Sequence, residues 1–311
     1  MRERWTRGTP DLTFTDAELA ALLAPAVPGA IVTSQQPAAG GLANTNLRVV
    51  VSGTALHLRF WVRDPSVAAK ELALHALVAG RVPVPRLLYA ATHNPVSGHP
   101  FAVMEWVDAP RLETVAPDAA TIRAVGATLA SIHAFTFERH GFLDGALRVA
   151  TPVSVGGAGL LGFLRAVLVD GPSGTRLGPE LTDQVLACAE REGPLLDSWT
   201  GPPCLTHSDY NGSNILVRDH AVAAVLDWEF AFAGSPFVDF GNLLRPPRGD
   251  DATFVAAVAD GYRAAGGVLP VAWRRMSELM DLLAWADFLS RPDPGATLVA
   301  DARAMMAKLT S

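Results

Sequence analysis

The sequence predicts an α+β chain in two lobes, a small β-rich lobe over residues 1–107 and a larger, mainly helical lobe over 108–311. Three observations carry this. Short apolar runs broken by Gly, Pro and Asn turns fill the first third of the chain, the pattern of strands and hairpins. After Pro110 the apolar residues recur at helical spacing, as in Ile122, Val125, Leu129 and Ile132. Inside the helical part, two apolar runs between 207 and 229 are flanked by polar clusters, and the short turn between them reads as a hairpin.

Taken in order, Thr15, Asp16 and Glu18 make a capped helix start, with Leu19, Leu22 and Leu23 as its apolar stripe and Pro25 and Pro28 as its end. Strand-like runs follow at 31–34, 47–51 and 55–62. A turn-rich loop at 40–46, containing Gly40, Gly41 and Asn44, separates the first two, and Ser52-Gly53 is a tight turn between the others. A helix is expected over 65–80, with Pro65 near its start and Gly80 at its end. Residues 82–89 lead stiffly into a strand, 93–99 form a turn, and 101–107 are a buried strand running out into the lobe connection. Further helices are expected at 118–135, 160–169, 180–196, 253–265 and 272–289, with 146–159 a loop and another helix entered from 234–244.

The chemistry gathers at the hairpin. Asp209 and Asn214 sit on a loop that ends in Ile215, Leu216 and Val217; Arg218-Asp219-His220 turns the chain; Ala224, Val225 and Leu226 return it to Asp227-Trp228-Glu229. Folding this hairpin brings Asp227 back to the Asp209–Asn214 loop. Two carboxylates and an amide oxygen then converge. Such a set suits Mg²⁺, a hard cation held by few carboxylates and completed by substrate phosphates.

Composition narrows the rest. Half of the 311 residues are apolar and 18% are charged, which is a globular chain with ample core. A net charge of −6 disfavours nonspecific nucleic-acid binding. Cys188 and Cys204 form no metal-type pair and read as free thiols of a cytoplasmic protein. Met1-Arg2-Glu3-Arg4-Trp5 lacks the apolar core of a secretory signal, and no apolar stretch is long enough to span a bilayer.

His207-x-Asp209 with Asn214 five residues on, answered by Asp227-Trp228-Glu229, resembles the catalytic-loop and metal-loop pair of the protein-kinase-like fold. At these residues the chain resembles the aminoglycoside phosphotransferase and choline-kinase-like family, and the likeness runs from about 33 to about 245. It includes the Gly-Gly-x-x-Asn loop and Gly234-Ser235-Pro236-Phe237-Val238-Asp239. The resemblance implies a bilobal kinase-like fold that transfers phosphate from ATP or GTP, with Mg²⁺, to a small hydroxylated acceptor. Asp209 would be the catalytic base, Asn214 and Asp227 the metal ligands, and His207 a brace for the loop. Gly40, Gly41 and Asn44 would cover the phosphates, unless the loop is a plain hairpin. Arg59 stands where the fold's template has Lys, with Glu71 as its partner; a surface Arg and a solvated Glu are the competing readings. Glu105 to Val107 would meet the base through their backbone, with Met104 beside it or simply in the core. Glu229 suits a metal, water or substrate role, and Asp239, Trp285 and Asp287 are candidates for lining the acceptor site. His133 reads as a structural histidine. The leading acceptor is an antibiotic, an aminoglycoside or another with free hydroxyls, and an amino alcohol or sugar is the alternative. A noncatalytic nucleotide-binding module of the same fold is the reading of another class. Arg59 lends it weight; the intact Asp209, Asn214 and Asp227 do not.

Overall fold

A computed structural model describes residues 11–38 and 44–311. Gly40 and Gly41, expected over the phosphates, lie outside the described residues.

The chain opens with α1 (Asp16–Leu23), capped by Thr15, whose side chain accepts from the Glu18 amide while Glu18 reaches back to Thr15. Strands β1 (Val32–Pro37), β2 (Thr45–Val51) and β3 (Thr54–Phe60) follow, then α2 (Val67–Val78), β4 (Leu87–Ala91) and β5 (Phe101–Glu105). The five strands form one antiparallel sheet in the order β1-β2-β3-β5-β4. Ser52 and Gly53 both adopt positive φ (49° and 83°), the two-residue turn that matches strand twist.

Strand alternation gives the sheet two different faces. Leu56, Leu58 and Phe60 point to one face and pack with Leu47, Val49, Val103 and the Leu19, Leu22 and Leu23 stripe of α1. His57, Arg59 and Trp61 point to the other, towards the rest of the molecule. At the usual ~25 cal/mol per Å² of apolar surface, the first face holds the small lobe together while the second is left for polar work.

The remainder is largely helical: α3 (Ala119–His133), α4 (Gly156–Leu168), α5 (Ser173–Leu177), α6 (Pro179–Glu192), α7 (Phe237–Leu243), α8 (Ala252–Ala264), α9 (Trp273–Ser290) and α10 (Gly295–Thr310). Between them lie β6 (Gly141–Leu143), β7 (Val149–Pro152), β8 (Cys204–Thr206), β9 (Ile215–Arg218), β10 (Ala221–Val225) and β11 (Phe232–Gly234). A four-stranded sheet runs β7-β6-β11-β8, and β9 and β10 form the expected hairpin, with Asp219 and His220 both at positive φ in its turn.

Helices α3 and α8 cross at two glycines. A Cβ on Gly126 would lie 2.1 Å from the Val258 carbonyl oxygen, and one on Gly261 2.0 Å from that of Arg123, so only glycine permits this approach. One sequence expectation is corrected. Residues 146–159 are not a loop throughout, because they carry β7 and the start of α4. Regular structure also continues past 289 into α10, whose Leu298, Ala302, Met305, Met306 and Leu309 are buried. Among the described residues, no helix is long and apolar enough to cross a membrane.

Candidate active site

A cavity of about 290 Å³ opens between the second face of the five-stranded sheet and the β9–β10 hairpin. Leu87, Ala102 and Met104 form its apolar roof, Leu216 and Val225 its floor, and Glu105, Trp106 and Val107 its back. In that connection the Glu105 amide donates to Arg86 O (2.9 Å) and the Val107 carbonyl accepts from Ala109 N (3.1 Å). Among the described residues the Val107 N–H takes no partner.

The small lobe sends Arg59 into the cavity. Arg59 Nη2 lies 2.9 Å from Glu71 Oε1 on α2, as the sequence leads one to expect, and 2.8 Å from Asp227 Oδ1. Trp61 Nε1 also donates to the Glu71 carboxylate, so that residue is buried and twice held, not solvated. Arg59 is 6% exposed, which settles against a surface Arg. Its Nε–H is buried and, among the described residues, has no hydrogen-bond partner, an open donor beside the cavity. Such an orphan is costly unless something fills it. His57, one strand register away, bonds Asn46 Oδ1 through Nε2 (3.0 Å), and burial, helped by the Arg59 charge, pushes it down to about 4, so it is neutral.

The catalytic-loop candidates come together on the opposite wall. β8 delivers a wholly buried His207, whose Nε2 donates to Leu226 O (2.9 Å) and whose Nδ1 accepts from the Asp209 amide (3.2 Å). The Asp209 carboxylate is held at both oxygens: Asn211 Nδ2 donates to Oδ1 (2.7 Å) and Asn214 Nδ2 to Oδ2 (2.8 Å). Asn214 also donates to the Asp209 carbonyl (3.0 Å), so its amide nitrogen is spent and its Oδ1 is the atom left for a cation. Asn214 and Asp227 line the same cavity. Asp227 sits at φ 66°, a left-handed conformation unusual for a non-glycine residue and common at functional sites. One carboxylate and one amide oxygen fit a hard cation that shares its remaining positions with phosphates. Among the described residues there is no group of three or more His, Cys, Asp or Glu that could hold a metal unaided.

Two expected site residues take other places. Asp239 does not line an acceptor surface: it is fully buried and accepts from the amides of His207 (2.8 Å) and Ser208 (2.7 Å), the latter at φ 64°. His133 Nε2 lies 3.1 Å from the same carboxylate and its Nδ1 bonds Tyr262 OH (2.9 Å), so α3, α7 and α8 together pin the loop from below. Trp285 is equally interior, 1% exposed and donating to Asp281 Oδ2, whereas Asp287 is exposed on α9.

Glu229 faces the small lobe. It accepts from Asn44 Nδ2 (2.9 Å) and pairs with Arg63 (3.4 Å). Burial, reinforced by repulsion from Asp227, pushes it up to about 7. Sequence reasoning gave Lys70 no role in the site, and its Nζ donates to the carbonyls of Glu229 (2.7 Å) and Ala231 (3.2 Å). It also missed Asn211. Strand alternation around Arg59 does flag His57 and Trp61, but the Asn211 bond depends on loop geometry that no periodicity reveals.

The fold recurs in known structures. The macrolide 2′-phosphotransferase MphH from Brachybacterium faecium is 21% identical, with 94% of this chain and 98% of that one covered at a TM-score of 0.66. A ternary complex of aminoglycoside phosphotransferase APH(4)-Ia with ADP and hygromycin B is 15% identical over 96% and 98%, at 0.67. The GDP and kanamycin complex of APH(2″)-IIIa is 19% identical over 94% and 97%, at 0.69. At these identities the likeness shows the kinase-like fold. No curated protein sequence matches the chain. The model of the family described as APH, phosphotransferase enzyme family, matches residues 34–279, most of the chain. This protein belongs to that family and is a phosphotransferase acting on a hydroxyl of a small molecule.

Proposed function

We propose that the enzyme moves the terminal phosphoryl group of ATP to a hydroxyl of an antibiotic, with Asp209 as general base and Asn214 and Asp227 as the Mg²⁺ ligands. One observation carries the reading: Arg59 bonds Glu71 and Asp227 at once, which ties the small-lobe ion pair and the metal-loop carboxylate to a single cavity. The base would lie between the apolar roof and floor. The Val107 N–H and the neighbouring Glu105 carbonyl match the acceptor N1 and donor N6 of adenine. Phosphate oxygens would satisfy the open Arg59 Nε–H. Asn44, at the end of the Gly40-Gly41 loop, would hold that loop over the phosphates through Glu229.

The acceptor oxygen attacks the terminal phosphorus as its proton passes to Asp209, and the bond to the nucleotide's bridging oxygen breaks, leaving ADP. Asn211 and Asn214 fix the carboxylate's orientation, so little reorganisation remains at the moment of reaction. A bound Mg²⁺ would supply charge neutralisation on the phosphates. The antibiotic acceptor is supported by the neighbours' names, macrolide, hygromycin B and kanamycin. We place the reaction in the cytoplasm, where nucleoside triphosphates are at hand.

The test is Asp209→Asn, assayed for phosphate transfer by mass shift across antibiotics, amino alcohols and sugars. A general base contributes about 10²–10⁴-fold, so turnover should fall by that order with nucleotide affinity intact. Turnover equal to the parent's would remove Asp209 as the base. Wild-type transfer confined to sugars or amino alcohols would replace the antibiotic.

A further inference from the structure

The cations around the cavity are nearly all committed. Arg59 is neutralised by Glu71 and Asp227, Arg63 pairs with Glu229, and Lys70 caps two carbonyls. Arg111 donates to Ser213 O, and Arg245 grips Asp281 with both arms of its fork while stacking 4.7 Å from the Trp285 ring.

Arg248 differs. Its guanidinium lies flat on the catalytic loop: a Cβ at Gly212 would fall 2.2 Å from Nη2, 2.6 Å from Cζ and 2.8 Å from Nη1. The side chain is partly buried, and among the described residues it forms no hydrogen bond and no ion pair. Burial pulls it down from its ordinary value, opposed only by the more distant Glu113. The backbone that presents it is fixed. Asp251 N donates to Arg248 O (3.2 Å), Arg274 Nη2 to Gly249 O (3.0 Å), and Lys308 pairs with Asp250. On the other side, Glu113 N holds Gly212 O (3.1 Å). A guanidinium with five donors and no acceptor, set rigidly on a glycine and left unpaired, is built to receive an anion. Gly212 is three residues from Asp209, so their Cα atoms are at most about 11 Å apart, within the span of one small acceptor.

We propose that Arg248 is a specificity-determining residue that binds an anionic oxygen group, a carboxylate or phosphoryl, at the lip of the catalytic loop. The group has two sources, an acid on the acceptor or the terminal phosphoryl of the donor. This rests on the phosphotransferase reading but not on the antibiotic one.

The experiment compares wild type, Arg248→Gln and Arg248→Lys, each with MgADP bound, by thermal shift and calorimetry. The probes are inorganic phosphate, gluconate and uncharged glucose. Gluconate reports an acceptor acid and phosphate the donor's phosphoryl. At least one of the two should stabilise the wild type. Arg248→Gln should weaken that anion about 10- to 100-fold, the worth of a charge-assisted hydrogen bond, while Arg248→Lys recovers part of it. Glucose should not discriminate between the variants. If neither anion acts on the wild type, or if Arg248→Gln binds it equally well, the proposal is overturned. Because the readout is binding, it stands apart from failure of the phosphotransferase reading, which Asp209→Asn turnover reports. Should Arg248→Gln melt early without any probe, the Arg248→Lys comparison still decides.

Discussion

Arg59 concentrates the site's electrostatics in one side chain. Its charge is balanced by a buried Glu71 and a half-buried Asp227, and burial makes Glu71 depend on it. Breaking a buried pair by removing one member costs about 3–5 kcal/mol, because the other charge is left uncompensated. Arg59→Ala should therefore lower the unfolding free energy by roughly that amount and abolish tight nucleotide binding. Arg59→Lys keeps the charge but not the fork, so it should recover stability before it recovers turnover. Equal denaturation midpoints and kcat/KM for Arg59→Ala and the parent would show that the pairing is incidental. The Arg59–Glu71 pair was legible in the sequence because a strand face and the following helix define a slot for each partner. The part played by Asp239 was not. An Asp in the first turn of a short helix reads the same whether it faces a substrate or two amides of a strained loop, and only the fold distinguishes them.

At the level of elements, the α3–α8 crossing is a joint that two glycines make close, and Asp239 depends on it through His133 and Tyr262. Gly126→Ala drives a methyl into the Val258 carbonyl, so the helices must separate. Overpacking of this kind costs about 1–3 kcal/mol, and the loop pinned below should loosen with it. Thermal melts and kcat of Gly126→Ala check this; an unchanged melt would mean the helices part freely. Helices with long apolar periods were visible in the sequence, as was the β9–β10 hairpin with its turn. The sheet of β6, β7, β8 and β11 was hidden because strands of three or four residues are too short for alternation to register. The α10 stripe is periodic, but it lies beyond Pro292 and Pro294, where the helical pattern of 272–289 ends.

Over the whole molecule, the cavity proposed for the nucleotide is shared between a sheet and a hairpin more than a hundred residues apart, so binding there would join the two halves. Ligand at about 100 times its Kd adds about 2.7 kcal/mol to folding stability. MgATP should thus raise the melting temperature by several degrees, EDTA should remove most of the gain, and Asp227→Ala should remove its Mg²⁺-dependent part. A shift of equal size with and without Mg²⁺ would count against Asn214 and Asp227 as metal ligands. The two-lobe plan was legible from composition and pattern alone. What it concealed is how firmly the lobes are joined. Lys70 of α2 hydrogen-bonds to the backbone after Asp227, and Asn44 to the Glu229 side chain, while Glu71 on the same helix secures Arg59. A helix so anchored is held in the position that pairs Glu71 with Arg59. With that pairing already in place, no separate step is needed to bring the helix in, and output should follow how much protein is made and how much acceptor it meets.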